Sequence, residues 1–430
     1  MGQKIIVLSA DAMVYEDTEY LKTLPNYCKY LAGGAEIKRV RSVYPTITYP
    51  AHVTISTGAW PAKHGVPGNL EFHPGRLNPP WNWFHNAVKC SDIFDAAKKA
   101  GLSTAGVFWP VTGNHPSIDY LIDEYWSQWP GDSPSDAFAR AGSSPAMLEL
   151  IKKNFTIDTV QRQHPGCDEF MINCACDIIR EYGPDLIMIH PANIDDYRHK
   201  NGVFNGKVKK GVEETDSYIG RLMRAAEERG CADETNFFLI SDHGQIEIKR
   251  SININVLLAD YGLIQADEKG TIINWDAYCL SGGMSALIFL KDRSKLIVYN
   301  KVQNILRHLC TEGIYGIGQV FTEEETRELE HLGGDFSFVL ESDGYTAFAD
   351  NWQRPLIKNF DLSDYRYGRA THGYLPDKGP QPILLAKGNR IKENAVLDRE
   401  YLVNEAPTFA RILGLNLPDA EGRAIDDILN

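Results

Sequence analysis

The chain has 430 residues, 43% of them hydrophobic, 10% aromatic and 23% charged. It can bury a large core in one big domain or two to three ordinary ones, and it is too apolar to be disordered. A formal net charge of −13 excludes a protein whose main grip is a basic face laid on nucleic acid or an anionic membrane, so neither is expected as a stable partner.

A phosphate site in so acidic a chain needs another source of positive charge, and metal ions supply it. No apolar run approaches the ~20 residues that span a bilayer, and the start carries only a short apolar run without a cleavage-like site. The eight cysteines lack the regular spacing of a disulfide framework, so the expected location is cytoplasmic. Cys174 and Cys176 are too close and too isolated for a thiolate metal site and read as plain buried cysteines.

Ile5–Leu8 reads as a first strand running toward Asp11. In Tyr44-Pro45-Thr46-Ile47-Thr48-Tyr49-Pro50, Pro50 suits the first turn of a helix and Gly58 its stop. Thr48 then lies at a helix N-terminus, where free N–H groups and the dipole favour an alkoxide or phosphoryl oxygen. A threonine hydroxyl is too basic to attack unaided, and a metal ion is one means of activating it. The competing reading makes Thr48 merely an N-cap. Thr104–Phe108, Leu186–His190, Phe237–Ser241 and Pro382–Ala386 are further short β-rich runs separated by helix-length segments. The pattern predicts an α/β fold with a mostly parallel central sheet flanked by helices, its ligand site at the carboxyl ends of the strands.

Several runs lead into ligand-type side chains. Ile189-His190 precedes Asp195, which stands one helical turn before His199, a spacing suited to gripping one metal ion. Ile240-Ser241 precedes Asp242-His243, followed by Gly244, which lets backbone approach closely. Lys207–Lys210 reads as a solvated helix start. Between about Ser251 and Asp350 the text changes: strand-like Ser285–Leu290, helical Ser294–Cys310, charge-rich Glu323–His331 and strand-like Phe336–Leu340. Residues 251–364 are therefore expected to form a smaller inserted α+β lobe, with 1–250 and 365–430 making the catalytic core. His372-Gly373 follows at a loop.

Taken together and in this order, Asp11, Thr48, Asp195, His199, Asp242, His243 and His372 resemble the ligand and nucleophile series of the nucleotide pyrophosphatase/phosphodiesterase family of the alkaline phosphatase superfamily. The similarity extends to Thr57-Gly58, Pro61, His64-Gly65 and Asn69, and to Phe108-Trp109-Pro110, and runs from about Lys4 to Pro376. The resemblance implies an alkaline phosphatase-like fold and two zinc ions, one held by Asp195, His199 and His372, the other by Asp11, Asp242 and His243 beside Thr48. It also implies attack by Thr48 on a phosphate diester or pyrophosphate, hydrolysis of the resulting phosphothreonine, and hydrogen bonding of a phosphoryl oxygen by Asn69.

The family's common form has Lys before the nucleophile where this chain has Ile47, and small residues where it has Asp196-Tyr197-Arg198; both changes are expected at the pocket rim. A sulfatase's Cys/Ser-x-Pro-x-Arg segment is missing. A phosphonate hydrolase (phosphonoacetate hydrolase-like) or a phosphomonoesterase on the same metal core stands as the alternative, and a noncatalytic relic is disfavoured by the complete ligand set. His52 is expected to be a structural histidine bonded near the site. Tyr49 is expected to line the substrate pocket. Trp81, Trp83 and Phe84 are expected either to extend that aromatic wall or to form a packed loop.

Overall fold

The computed structural model describes residues 2–129, 131–161, 163–362 and 368–430. Six strands of the central sheet come first along the chain: β1 (Lys4–Ser9), β2 (Ala35–Arg41), β3 (Thr104–Val107), β4 (Tyr120–Ile122), β5 (Leu186–Ile189) and β6 (Thr235–Ile240). Leu384–Lys387 and Val396–Tyr401 complete it, in the spatial order Val396–Tyr401, β2, Leu384–Lys387, β6, β1, β5, β3, β4. All pairs are parallel except those made by Leu384–Lys387, which runs antiparallel to both β2 and β6. The expected mostly parallel sheet is therefore present, and all five runs read from sequence lie in it.

Both sheet faces are covered, which is why these strands are apolar at successive positions instead of alternating. In β1, Ile6 and Leu8 join one core cluster with the buried side of the Gly166–Glu181 and Gly206–Arg229 helices. Ile5 and Val7 join the opposite cluster, with Ile55, Phe94 and Phe409. Cys174 and Cys176 are buried in the first cluster, as expected.

A second, four-stranded antiparallel sheet has the order Ala277–Ser281, Ser285–Leu290, Phe338–Ser342, Ile317–Thr322. With the Leu296–Glu312 helix it encloses a core of its own that includes Tyr278, Ile288, Leu306 and Phe338. The expected boundary at residue 250/251 falls inside a strand, Arg250–Asn253, which pairs with Thr346–Ala349 and Ile357–Asn359. The expected return at 365 lies outside the described residues. A short antiparallel pair, Ala370–Thr371 with Ile246–Glu247, brings the segment carrying His372 beside the loop that follows β6.

Candidate metal centre

Three adjacent parallel strands, β6, β1 and β5, end in register, with Ser9 opposite Ile240 and Leu8 opposite Ile189. Their carboxyl ends deliver most of the centre. Asp11 follows β1 and Asp242-His243 follow β6, while β5 leads through His190 into the Asn193–Asn201 helix. On that helix Asp195 Oδ2 lies 3.2 Å from His199 Nε2, as one-turn spacing requires. Ligand-type atoms of Asp195, His199 and His372 all lie within 4.8 Å of one another, and so do those of Asp11, Asp242 and His243. The His243 and His372 ring centroids are 4.3 Å apart, so the two triads abut.

Two glycines make the closure sterically admissible. Gly373 has φ +98°, and a Cβ there would stand 1.8 Å from the Gly282 carbonyl oxygen. A Cβ on Gly244 would meet the Pro380 carbonyl oxygen at 2.4 Å.

Thr48 opens a buried helix, Thr48–Thr57, which ends at left-handed Gly58. Its Oγ1 is 3.1 Å from His243 Nε2, and that nitrogen is also 3.2 Å from Asp242 Oδ2 and 3.5 Å from Asp11 Oδ1. The hydroxyl thus meets one triad through His243, at a helix N-terminus that favours developing negative charge. Asn69 Oδ1 accepts the Tyr49 backbone N–H at 2.9 Å, which leaves the amide NH2 as the donor end of a side chain on the cavity wall.

Tyr49 corrects an expectation. Its side chain is fully buried behind the wall, donates to Glu124 Oε2 at 3.1 Å and packs edge-on against Trp81 with centroids 5.1 Å apart. One residue step on a helix turns a side chain by about 100°, so the neighbour of Thr48 does not share its outlook. Trp81 lines the cavity in its place, with Phe108, Trp126, Leu70 and Met171. Trp83 and Phe84 instead pack on Tyr125. The rim expectation also needs correcting: Ile47 and Asp196 do line the cavity, but Tyr197 is buried with its hydroxyl on Glu214 and Arg198 is wholly enclosed.

Behind the triads stands a second layer of contacts. His190 Nε2 bonds Asp11 Oδ2 at 3.1 Å. His199 Nδ1 donates to the Ala370 carbonyl at 2.7 Å, which points Nε2 at Asp195. Gln245 Nε2 donates to the carbonyl of Asp195 at 3.0 Å and also to its carboxylate. His52 is the expected structural histidine, its Nδ1 on the Thr48 carbonyl at 2.8 Å and its Nε2 on Ser9 Oγ at 2.9 Å. On the cavity wall, His164 is held by Asp168 at 2.6 Å, and the other Asp168 oxygen accepts the Ala192 N–H at 2.9 Å. Gln245, His164 and Asp168 are not singled out from sequence: Gln245 acts on a partner 50 residues away, and His164 and Asp168, although spaced like Asp195 and His199, follow no strand-like run that would mark them.

The electrostatics ask for cations. Burial, then the neighbouring Asp242 and Asp195, push the Asp11 carboxyl well above the usual range, and burial pushes Asp242 up to about 6. Burial lowers His243 to about 4 and His372 well below the ordinary imidazole value, so both are neutral and fit to ligate. Asp195 runs the other way: burial opposes its charge, but His199 pulls it below the carboxylate range. Asp11 Oδ1 and Asp242 Oδ2 are buried without a hydrogen-bond partner, a costly state unless something else satisfies them. Two abutting triads of imidazole nitrogen and carboxylate oxygen, one with buried carboxylate oxygens left unsatisfied and the other with His199 oriented by its contact to the Ala370 carbonyl, suit metal ions.

The chain matches the family model described as type I phosphodiesterase / nucleotide pyrophosphatase over residues 5–375. It is 26% identical over 259 residues to ectonucleotide pyrophosphatase/phosphodiesterase family member 1 of Homo sapiens, covering 56% of this chain and 24% of that protein. It is likewise 26% identical over 236 residues to venom phosphodiesterase 2 of Crotalus adamanteus, covering 52% of this chain and 24% of that protein. The chain thus spans about a quarter of the length of these relatives. Murine ectonucleotide pyrophosphatase/phosphodiesterase 5, solved as an inactive form in complex with AMP, superposes with a TM-score of 0.69 at 17% identity, each chain covered in full. With the strand order, the helix-borne threonine and the match across most of its length, this chain belongs to the type I phosphodiesterase / nucleotide pyrophosphatase family.

Proposed function

We propose that this chain is a hydrolase of phosphate diesters or pyrophosphates that works with two zinc ions and uses Thr48 as nucleophile. The observation that carries the reading is the position of Thr48 Oγ1, 3.1 Å from His243 Nε2 at the head of a helix and against two abutting triads of metal-ligand type. Asp195, His199 and His372 would hold one ion, and Asp11, Asp242 and His243 the other. When bound, such ions lower the pKa of an attacking oxygen and offset charge on phosphoryl and leaving oxygens. The names of the relatives, phosphodiesterases and pyrophosphatases, point the same way.

The chain's own groups account for the rest. The buried helix holds Thr48 in place for attack on phosphorus, which expels the first alcohol or phosphate and leaves a phosphothreonine for water to cleave. The Asn69 amide donates to a phosphoryl oxygen. Trp81, Phe108 and Trp126 offer an apolar wall for the ester's other substituent and keep water from it. Among the described residues the cavity wall carries no Lys or Arg, while Glu124 stands on it and Asp196 is paired with Lys200. That lining favours a singly charged diester over a doubly charged monoester, and nothing in it favours a phosphonate.

The test compares kcat/KM on a nitrophenyl nucleotide diester, a nitrophenyl monoester and phosphonoacetate, with zinc measured in the same preparation, for the native chain and Thr48→Ala. The expected result is about two zinc ions per chain, chelator-sensitive activity led by the diester, and a Thr48→Ala protein that keeps its zinc but not its turnover. Active protein free of transition metal, or a variant near the native rate, refutes the reading.

A further inference from the structure

Arg198 is a wholly buried arginine, 0% exposed, on the same helical turn as Asp195 and His199. Its Nε donates to the Ala12 carbonyl at 3.1 Å. Its two terminal nitrogens donate to the Val203 carbonyl and to Asp17 Oδ2, and the guanidinium lies 5.3 Å from the centroid of the Phe204 ring. A buried guanidinium tolerates its desolvation only when its donors are used, and each of the three nitrogens is.

The informative contact is Ala12. This residue follows Asp11, is not glycine, and has φ +58°, a left-handed conformation that side chains disfavour and that needs outside support. Both of its backbone polar groups are engaged. Its N–H donates to Asp242 Oδ1 at 3.1 Å, and its carbonyl accepts Arg198 Nε. A continuous path therefore runs from the helix bearing Asp195 and His199, through Arg198 and Ala12, to Asp11 and Asp242 of the other triad.

We propose that Arg198 is a positioning residue: it holds Ala12 in its left-handed conformation and so fixes the Asp11/Asp242/His243 triad relative to the Asp195/His199/His372 triad. The inference rests on the two-metal reading above. Asp195 and His199 have anchors that do not pass through Arg198, namely Gln245 and the Ala370 carbonyl. Loss of Arg198 therefore falls on one triad and leaves the other. Lysine at 198 keeps a charge near Asp17 but cannot serve three acceptors from a planar fork.

The experiment is a stepwise zinc titration of the metal-stripped full chain against a competing chromophoric chelator, run on the native protein, Arg198→Lys, Ala12→Gly and the double variant. In Arg198→Lys one binding step is expected near its native affinity and the other weakened at least tenfold. Ala12→Gly alone is expected to bind both ions as the native chain does, and in the double variant to recover most of the lost affinity, because glycine adopts the left-handed conformation without the clamp. Should Arg198→Lys fail to fold, Ala12→Val approaches the same point from the other side, since a β-branched residue resists that conformation, and it is expected to weaken the same step.

Unchanged steps in Arg198→Lys, equal weakening of both steps with no recovery in the double variant, or native binding by Ala12→Val each overturn the proposal. Native protein that binds no zinc overturns the two-metal reading instead, and the clamp with it.

Discussion

Replacing a metal ligand normally destabilises a metalloprotein, yet at Asp242, a proposed ligand, Asp242→Asn is expected to stabilise the metal-free form of this chain at neutral pH. Asp242 is fully buried, with Oδ1 on the Ala12 N–H and Oδ2 unsatisfied; burial pushes its pKa up to about 6 from an ordinary 3.8. A carboxyl whose folded value lies above its unfolded value binds more protons in the folded state between the two, so stability falls as pH rises through that window. The cost is absent below about pH 4 and fully present above about pH 6. Two pKa units correspond to about 3 kcal/mol.

Asparagine keeps the Oδ1 acceptor for Ala12 and presents an NH2 group toward Asp11 in place of a second charge. In urea denaturation with chelator present, Asp242→Asn should exceed the native chain by about 3 kcal/mol at pH 7.5, with the gap closing toward pH 4. With zinc present the order should reverse, since the native chain gains binding energy that the variant cannot. A chelated Asp242→Asn protein no more stable than native at pH 7.5, or a gap that persists unchanged at pH 4, refutes the account of the site as buried negative charge awaiting cations.

Other expectations follow from single contacts. Asn69→Ala should lower kcat about 10²–10³-fold through loss of one phosphoryl donor while zinc content stays native; steady-state kinetics with metal analysis check it. His190→Ala should weaken zinc binding roughly 10–100-fold because Asp11 Oδ2 loses its 3.1 Å partner, and a competition titration reads this directly. Trp81→Ala should erase ~1–3 kcal/mol of stacking from bulky diesters and leave small ones unaffected, whereas Tyr49→Phe, which removes only the hydroxyl on Glu124, should leave the substrate order intact; kcat/KM across a diester series separates the two.

Legibility in the sequence followed burial. β1, β3, β5, β6 and Leu384–Lys387 are buried on both faces and announce themselves as apolar runs. Val396–Tyr401 is an edge strand whose residues are mostly exposed, so hydropathy gives it no outline, and β2 alternates in burial with charged residues between its apolar ones. Asp11, Asp242, His243 and His372 are readable because each sits just past a strand, Asp195 and Thr48 because they lie in the first turn of a helix, and His199 because it stands one turn after Asp195. What could not be read is rotation about a helix. Tyr49 stands next to Thr48, and Tyr197 and Arg198 between Asp195 and His199, yet they face other directions; which face meets the cavity is set by contacts such as Tyr49 with Trp81 and Glu124, Tyr197 with Glu214, and Arg198 with Ala12, the last pair 186 residues apart.

The acidic composition and the anionic substrate are reconciled by counting charge at the centre. The two triads contain three carboxylates, Asp11, Asp195 and Asp242. On the proposed two-metal reading, two divalent ions would bring four positive charges and leave the loaded centre with about one net positive charge, which a diester's single negative charge would balance. A monoester dianion would overshoot it, and Glu124 on the same wall would repel the excess at the short range where such charges count. A chain of net charge −13 also offers no distant field to draw a dianion in. On that two-metal reading, charge balance would set the class of phosphorus centre, and the apolar wall of Trp81, Phe108 and Trp126 would set which diesters gain from being held. On this argument, introducing one cation at the wall at a position away from the nucleophile, as in Leu70→Lys, should shift the monoester-to-diester ratio of kcat/KM upward by a decade or more; a ratio that does not move would mean that something other than charge selects the substrate.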